Sequence, residues 1–226
     1  MASTHINFIV RRLTTTSIMV LVLLISFGMG LTPAVFASST SNFQYTINSG
    51  TLAVDIVDSS YVTVGSPSVV LTTGTFSFTC GTATGTFGSA SQVIYVSNPD
   101  AADNGWTVSL AGSATTAVWD SAGTDFDFND AGGSGCTDGA DADAFGGQMT
   151  VNPNAGTLAV GQCATCATTS VTKGSSTAFV EGTTNSVTVL TGASGSNDIG
   201  DLKLTGVAIS QTVPAEQPAA SDYYII

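Results

Sequence analysis

The chain has 226 residues, of which 43% are hydrophobic, and it sets four Lys and Arg against sixteen Asp and Glu. Such an acidic balance disfavours nucleic acid and anionic lipid as partners. The apolar content and recurrent strand-like runs also exclude a disordered chain.

At the N-terminus, Arg11 and Arg12 precede an apolar run over residues 18–31, and Pro33-Ala34-Val35-Phe36-Ala37 follows it. This is the order of a basic region, an apolar core and a small-residue cleavage site, so the sequence predicts a signal peptide over residues 1–37. Gly28, Gly30 and Pro33 interrupt the apolar run, which favours cleavage after Ala37 over a retained membrane anchor. The expected product is a single secreted domain, residues 38–226, at the cell surface and free of membrane. Cleavage removes His5, Arg11 and Arg12, leaving Lys173 and Lys203 as the cations. Ser-His-Asp and Cys-His nucleophile pairs, His-based zinc sites and arginine phosphate clamps are then excluded. A carboxylate pair or a Lys-activated serine survives that test, but no pattern supports either, and the reading is of a protein that is not an enzyme.

Short β-branched and aromatic runs separated by Gly, Ser, Asn, Asp and Pro predict an all-β, antiparallel β-sandwich, Ig-like or jelly-roll-like, with long Gly/Ser/Asp-rich loops. In chain order the expected strands are residues 43–47, 51–57, 68–72, 75–80, 92–97, 106–111, 148–151, 186–190 and 202–210. Phe76 and Phe78 alternate with Thr75, Ser77 and Thr79, which predicts one buried and one wet face. The turn residues Asn98-Pro99-Asp100 and Asp103-Asn104-Gly105 place Trp106 at a strand start. Trp106 reads as a core anchor, with a ligand-stacking platform as the alternative. The Gly-rich stretches at residues 81–88 and 191–198 lack the Lys and the helix of a phosphate cradle.

The most concentrated signal is Asp125-Phe126-Asp127-Phe128-Asn129-Asp130, followed by Asp138, Asp141 and Asp143. Hard cations take six to eight oxygens, and a D-x-D-x-N run supplies three from side chains. Asp125, Asp127, Asn129 and Asp130 are therefore one candidate Ca²⁺ ligand group, and Asp138, Asp141 and Asp143 a second. An EF-hand is excluded, because Asp130 stands where its turn glycine belongs and Cys136 where its bidentate glutamate belongs. Two other readings stay open: a half-buried strand whose aspartates face water, and a loop that only keeps the surface soluble.

Four cysteines, Cys80, Cys136, Cys163 and Cys166, in an exported chain predict two disulfides. Three pairings are possible; the expected one joins Cys136 to one member of the 163/166 pair and Cys80 to the other. Cys163-Ala164-Thr165-Cys166 has redox-dithiol spacing, but no helical pattern follows it, which favours a structural bridge.

Asn48-Ser49-Gly50-Thr51-Leu52-Ala53-Val54, residues 96–103 leading into Gly105-Trp106-Thr107-Val108, and Val213-Pro214-Ala215 with Ser221-Asp222-Tyr223 resemble the scaffold of WxL-type surface proteins. The early segment is also similar to the camelysin and biofilm-fibre group. Val108 stands where the first Trp-x-Leu would have Leu. The resemblance implies a sandwich displayed on the bacterial envelope, bound to cell-wall polymer or self-associated in fibres. The strand-forming Tyr223-Tyr224-Ile225-Ile226 is read either as the point where a final strand is truncated or as a segment that pairs with a neighbouring chain, for which the segment 38–47 is another candidate. The expected function is that of a non-enzymatic structural protein, a filament subunit or a matrix and adhesion component. The alternative is a wall- or glycan-binding module with a calcium-stabilised loop.

Overall fold

A computed structural model describes residues 11–23, 44–46, 48, 50–99, 104–121, 125–139, 143–195 and 199–225. The chain divides into two units, Met1–Ile47 and Asn48–Ile226. In the first, residues 11–23 form an exposed helix. No helix among the described residues is long and apolar enough to cross a membrane. Ala37 and residues 24–36 lie outside the described residues, as do Phe43 and Ile47 of the first expected strand.

The second unit is an antiparallel β-sandwich-like fold. Its strands are β1 (Ala53–Val57), β2 (Gly81–Phe87), β3 (Val93–Asn98), β4 (Trp106–Ala111), β5 (Val118–Trp119), β6 (Phe126–Asp127), β7 (Gln148–Asn152), β8 (Thr157–Val160), β9 (Val171–Lys173), β10 (Thr177–Ala178), β11 (Ser186–Gly192), β12 (Gly200–Thr205) and β13 (Val207–Val213). One sheet runs β1-β3-β12-β8 and a second β10-β7-β13-β2. A third runs β4-β11-β9, and β5 pairs with β6.

The sheets close on each other because alternate residues of the central strands are apolar. Ile94 and Val96 of β3, Leu202 and Leu204 of β12, Val187 and Val189 of β11, and Val207 of β13 are buried in one cluster with Phe128, Val151, Phe179 and Leu190. The period of two puts these side chains on one face of each strand. Where that period breaks, the backbone compensates. In β11 the register to β4 shifts between Thr188 and Leu190, so Val189 and Leu190 are both buried. Such a bulge turns an extra side chain inward.

Several expected strands shift or disappear. The run 202–210 is two strands: Thr205 pairs with Thr157 in the first sheet, and Val207 pairs with Phe87 in the second. Between them Gly206 has φ +77° and makes the corner at which the chain changes sheets. Residues 68–72 and 75–80 form no regular strand, although Thr72 N donates to Thr84 O at 2.7 Å. Phe76 and Phe78, expected on a half-buried face, are 50% and 77% exposed and pack edge-on against each other. The strand of that region is instead β2, whose seven residues all pair with β13.

The C-terminal tail also departs from expectation. Tyr224 pairs with Asp120 of the same chain, and the Tyr223 ring packs edge-on against Phe126 with centroids 5.1 Å apart. Tyr223 therefore lies within its own chain's aromatic cluster, where Phe126 also stacks on Trp119.

Candidate functional site

The acidic run is built differently from the two sequence readings that place its aspartates in solvent. Residues 126–130 are buried without a break, and Asp127, Asn129 and Asp130 are only 1–3% exposed, so these aspartates do not face water. Backbone amides account for this. Asp130 accepts from Gly132 N at 2.7 Å and Gly139 N at 2.8 Å, while Asp127 accepts from Phe128 N at 2.6 Å. Asp125 accepts from Ser121 N and Asp143 from Phe145 N. Charge-assisted bonds of this kind organise a turning backbone. Gly139 and Gly147 are part of the same arrangement, since a Cβ at either would collide with Asp130 or with the Asp127 backbone. Asn129 Nδ2 donates to Thr115 O, whereas Asn129 Oδ1 is buried without a hydrogen-bond partner. Asp138 is exposed, and Asp141 lies outside the described residues. Trp106 is 8% exposed and belongs to the core cluster, so it does not present a stacking platform.

The disulfides correct the expected pairing. Cys80 joins Cys136, and Cys163 joins Cys166. The first links the irregular segment before β2 to the loop after Asp130; the second closes its own four-residue loop.

That short loop belongs to a second, denser arrangement on the outer face of the first sheet. Tyr95 lies opposite Lys203 and Ser97 opposite Asp201, so Tyr95 and Asp201 are diagonal neighbours on one face. The Tyr95 hydroxyl donates to Asp201 Oδ2 at 2.7 Å. Gln162 N also donates to Oδ2, and Cys163 N donates to Oδ1 at 2.7 Å. Asp201 is 7% exposed, and its carboxylate thus forms the floor of a cradle whose rim is residues 161–166. The chain can approach this closely because Gly161 and Gly200 lack side chains. A Cβ at Gly161 would strike Asp201 Oδ2, and one at Gly200 would strike Cys166 Sγ.

Tyr61 covers the neighbouring position. Asp58 Oδ1 accepts from Ser60 N and Val62 N, fixing a tight turn in which Tyr61 adopts φ +62°. That conformation is uncommon for an aromatic residue and is held here by the Asx turn. It sets the Tyr61 ring edge-on to Tyr95 at 5.3 Å, with Lys203 Nζ 3.4 Å from the Tyr61 hydroxyl.

Burial by itself pushes the Asp201 carboxyl up, but the Tyr95 hydroxyl and the Gln162 and Cys163 amides outweigh it and hold the carboxyl below its ordinary value. Burial, reinforced by the bond to Asp201, raises the Tyr95 hydroxyl above its usual value. A carboxylate with a depressed folded pKa stabilises the protein above its unfolded pKa, and that contribution disappears as pH falls through the folded value. The thermal advantage of wild type over Asp201→Asn is therefore expected to be full at neutral pH. It should shrink steadily below about pH 4. Melting curves of both proteins across that range check it, and a pH-independent difference would remove Asp201 from the account.

Sequence reasoning identified Cys163 and Cys166 but missed Asp201, Tyr95 and Tyr61. Asp201 is separated from the cysteines by more than thirty residues and joins them only through the pairing of β12 with β8. The local signals were Gly161 before the cysteine loop and Gly200 before the aspartate, each marking a close backbone approach. No family model matches this chain, and no curated protein or solved structure shows significant similarity to it.

Proposed function

We propose that this chain is a secreted, disulfide-stapled structural protein of the bacterial cell surface, acting as a filament subunit or a matrix and adhesion component. The observation that carries this reading is the stretch before β2. Val70, Phe76 and Phe78 are 85%, 50% and 77% exposed there, in a sequence rich in strand-forming residues that runs beside β2 without joining the ladder. Strand-prone apolar backbone of this kind at a sheet margin is a template for pairing with another chain. Tyr45, in the second candidate pairing segment, is 88% exposed. The leader pattern, the loss of His5 with it and the resemblance to WxL-type and camelysin-like surface proteins agree with a role in contact and not in catalysis.

The alternative is a wall- or glycan-binding module with a calcium-stabilised loop. It is favoured by the buried Asn129 Oδ1, an oxygen without a hydrogen-bond partner in a run that also holds Asp125, Asp127 and Asp130. An oxygen of that kind suits a hard cation.

Residues 38–226, purified and followed by size exclusion and electron microscopy, should form concentration-dependent assemblies of regular width. A stable monomer that sediments with peptidoglycan would replace the filament reading with the binding module. In the same preparation, a melting temperature that chelator lowers and Ca²⁺ restores would support the calcium loop, and an unchanged one would remove it.

A further inference from the structure

We infer that the Cys163–Cys166 loop and Asp201 form a thiol-gated metal site, closed in the disulfide form and able to bind a borderline-soft divalent cation of the Zn²⁺ type once the disulfide is reduced. Among the described residues, Cys163, Cys166 and Asp201 are the group of potential ligands whose donor atoms all lie within 4.8 Å of one another. A tetrahedral zinc ion with sulfur at about 2.3 Å and carboxylate oxygen at about 2.0–2.2 Å needs donor atoms a little under 4 Å apart. Small side-chain adjustments within the cradle reach that spacing. Two cysteines three positions apart match the ligand spacing of zinc loops, and Asp201 supplies a third donor from a different strand.

The surroundings favour a cation over thiol–disulfide catalysis. A carboxylate beside two sulfurs opposes formation of the thiolate nucleophile but adds charge attraction for a divalent ion. Asp201 is more than nine-tenths buried and oriented by Tyr95, Gln162 and Cys163, in the manner of a metal ligand held by outer-shell bonds. Cys163 and Cys166 are half-buried, so solvent reaches the rim and leaves the fourth position for water.

The chemistry balances with an external thiol or phosphine reductant. Two electrons from the reductant and two protons break the Cys163–Cys166 bond and give two thiols, while the reductant becomes its own disulfide or phosphine oxide, the latter taking its oxygen from water. Metal binding then releases both thiol protons to solvent.

The test uses residues 38–226, reduced with a phosphine that is then removed, and titrated anaerobically with Co²⁺ followed by Zn²⁺. Reduced wild type should bind one Co²⁺ per chain with a thiolate-to-cobalt charge-transfer band, which Zn²⁺ abolishes; the oxidised protein should show no band. Tyr95→Phe, which removes a bond that orients Asp201, should weaken affinity by about 10- to 100-fold, and Asp201→Asn by more. Cys163→Ser with Cys166→Ser, which leaves Cys80 and Cys136 in place, should lose the band while retaining its far-ultraviolet circular dichroism. Absence of the band in reduced wild type overturns the proposal. So does its survival in the double serine variant, or an unchanged affinity in Asp201→Asn. Should the double variant not fold, the comparison of reduced with oxidised wild type and the Asp201→Asn titration still decide the matter.

Discussion

Replacing Cys80 and Cys136 together by alanine is expected to destabilise the β unit by about 4 kcal/mol, whereas the same change at Cys163 and Cys166 should cost only about 2 kcal/mol. The difference follows from loop length. The first bridge spans a sequence separation of 56 and the second a separation of 3. A cross-link stabilises chiefly by restricting the unfolded chain, and the restriction grows with the logarithm of the closed loop. For a domain of this size 4 kcal/mol lowers the melting temperature by roughly 8–16 °C. The bridge also has a local role that adds to the effect. It ties the irregular stretch before β2 to the loop in which Gly133, Ser134 and Gly135 all take positive φ and Asp130 holds the Gly132 and Gly139 amides. Thermal melts of the two double variants under non-reducing conditions measure the contrast. Equal losses would mean that strain or packing, and not loop closure, sets the contribution of each bridge.

The sequence made some of this architecture legible and concealed the rest for identifiable reasons. The strands expected at residues 92–97, 106–111, 148–151 and 186–190 were readable because most of their inward positions carry Val, Ile, Leu, Met or Trp. β2 was not, since Gly-Thr-Ala-Thr-Gly-Thr-Phe has almost no apolar alternation; it is a strand because β13 supplies a seven-residue partner. Gly85 in its middle also lets the Leu71 side chain approach the sheet. Residues 68–80 show the converse, with strand propensity but no ladder. Propensity in strands reports fit to a half-buried surface, and tertiary pairing overrides it.

The acidic run misled by its alternation. Asp-Phe-Asp-Phe predicts one wet face, yet the chain buries both faces, with Phe128 N donating to Asp127 Oδ1 and the Gly132 and Gly139 amides donating to Asp130. The Gly132 and Gly139 donors come from a loop whose path no pattern in the sequence specifies. The cradle around Asp201 was hidden for a related reason. Its parts are distant in sequence and meet only when β3, β12 and β8 are in register, so the cysteine spacing was visible and its carboxylate partner was not.

Phe179→Ala is expected to be among the most damaging single substitutions, at about 3–5 kcal/mol. Phe179 is 2% exposed, packs edge-on against Phe128 with centroids 5.2 Å apart, and sits where its backbone amide bonds Met149 O. Removing the ring opens a cavity among β-strands whose backbone ladders resist collapse, so the transfer and cavity terms both count. Phe78→Ala deletes the same side chain in the opposite setting. With Phe78 77% exposed, stability should change by no more than about 0.5 kcal/mol. The two variants therefore separate fold from contact. Under the structural reading, Phe179→Ala lowers the unfolding midpoint and diminishes assembly only as it unfolds the subunit. Phe78→Ala leaves the midpoint in place and weakens assembly by removing contact area, whereas Val70→Asp with Phe78→Asp abolishes it, because a charge buried at a strand-pairing margin is costly. Denaturant titration paired with sedimentation reads both quantities from one preparation. If the double aspartate variant assembles as wild type does, the exposed stretch before β2 is not the contact surface, and any self-association must use another margin, such as that of β8, which ends the first sheet.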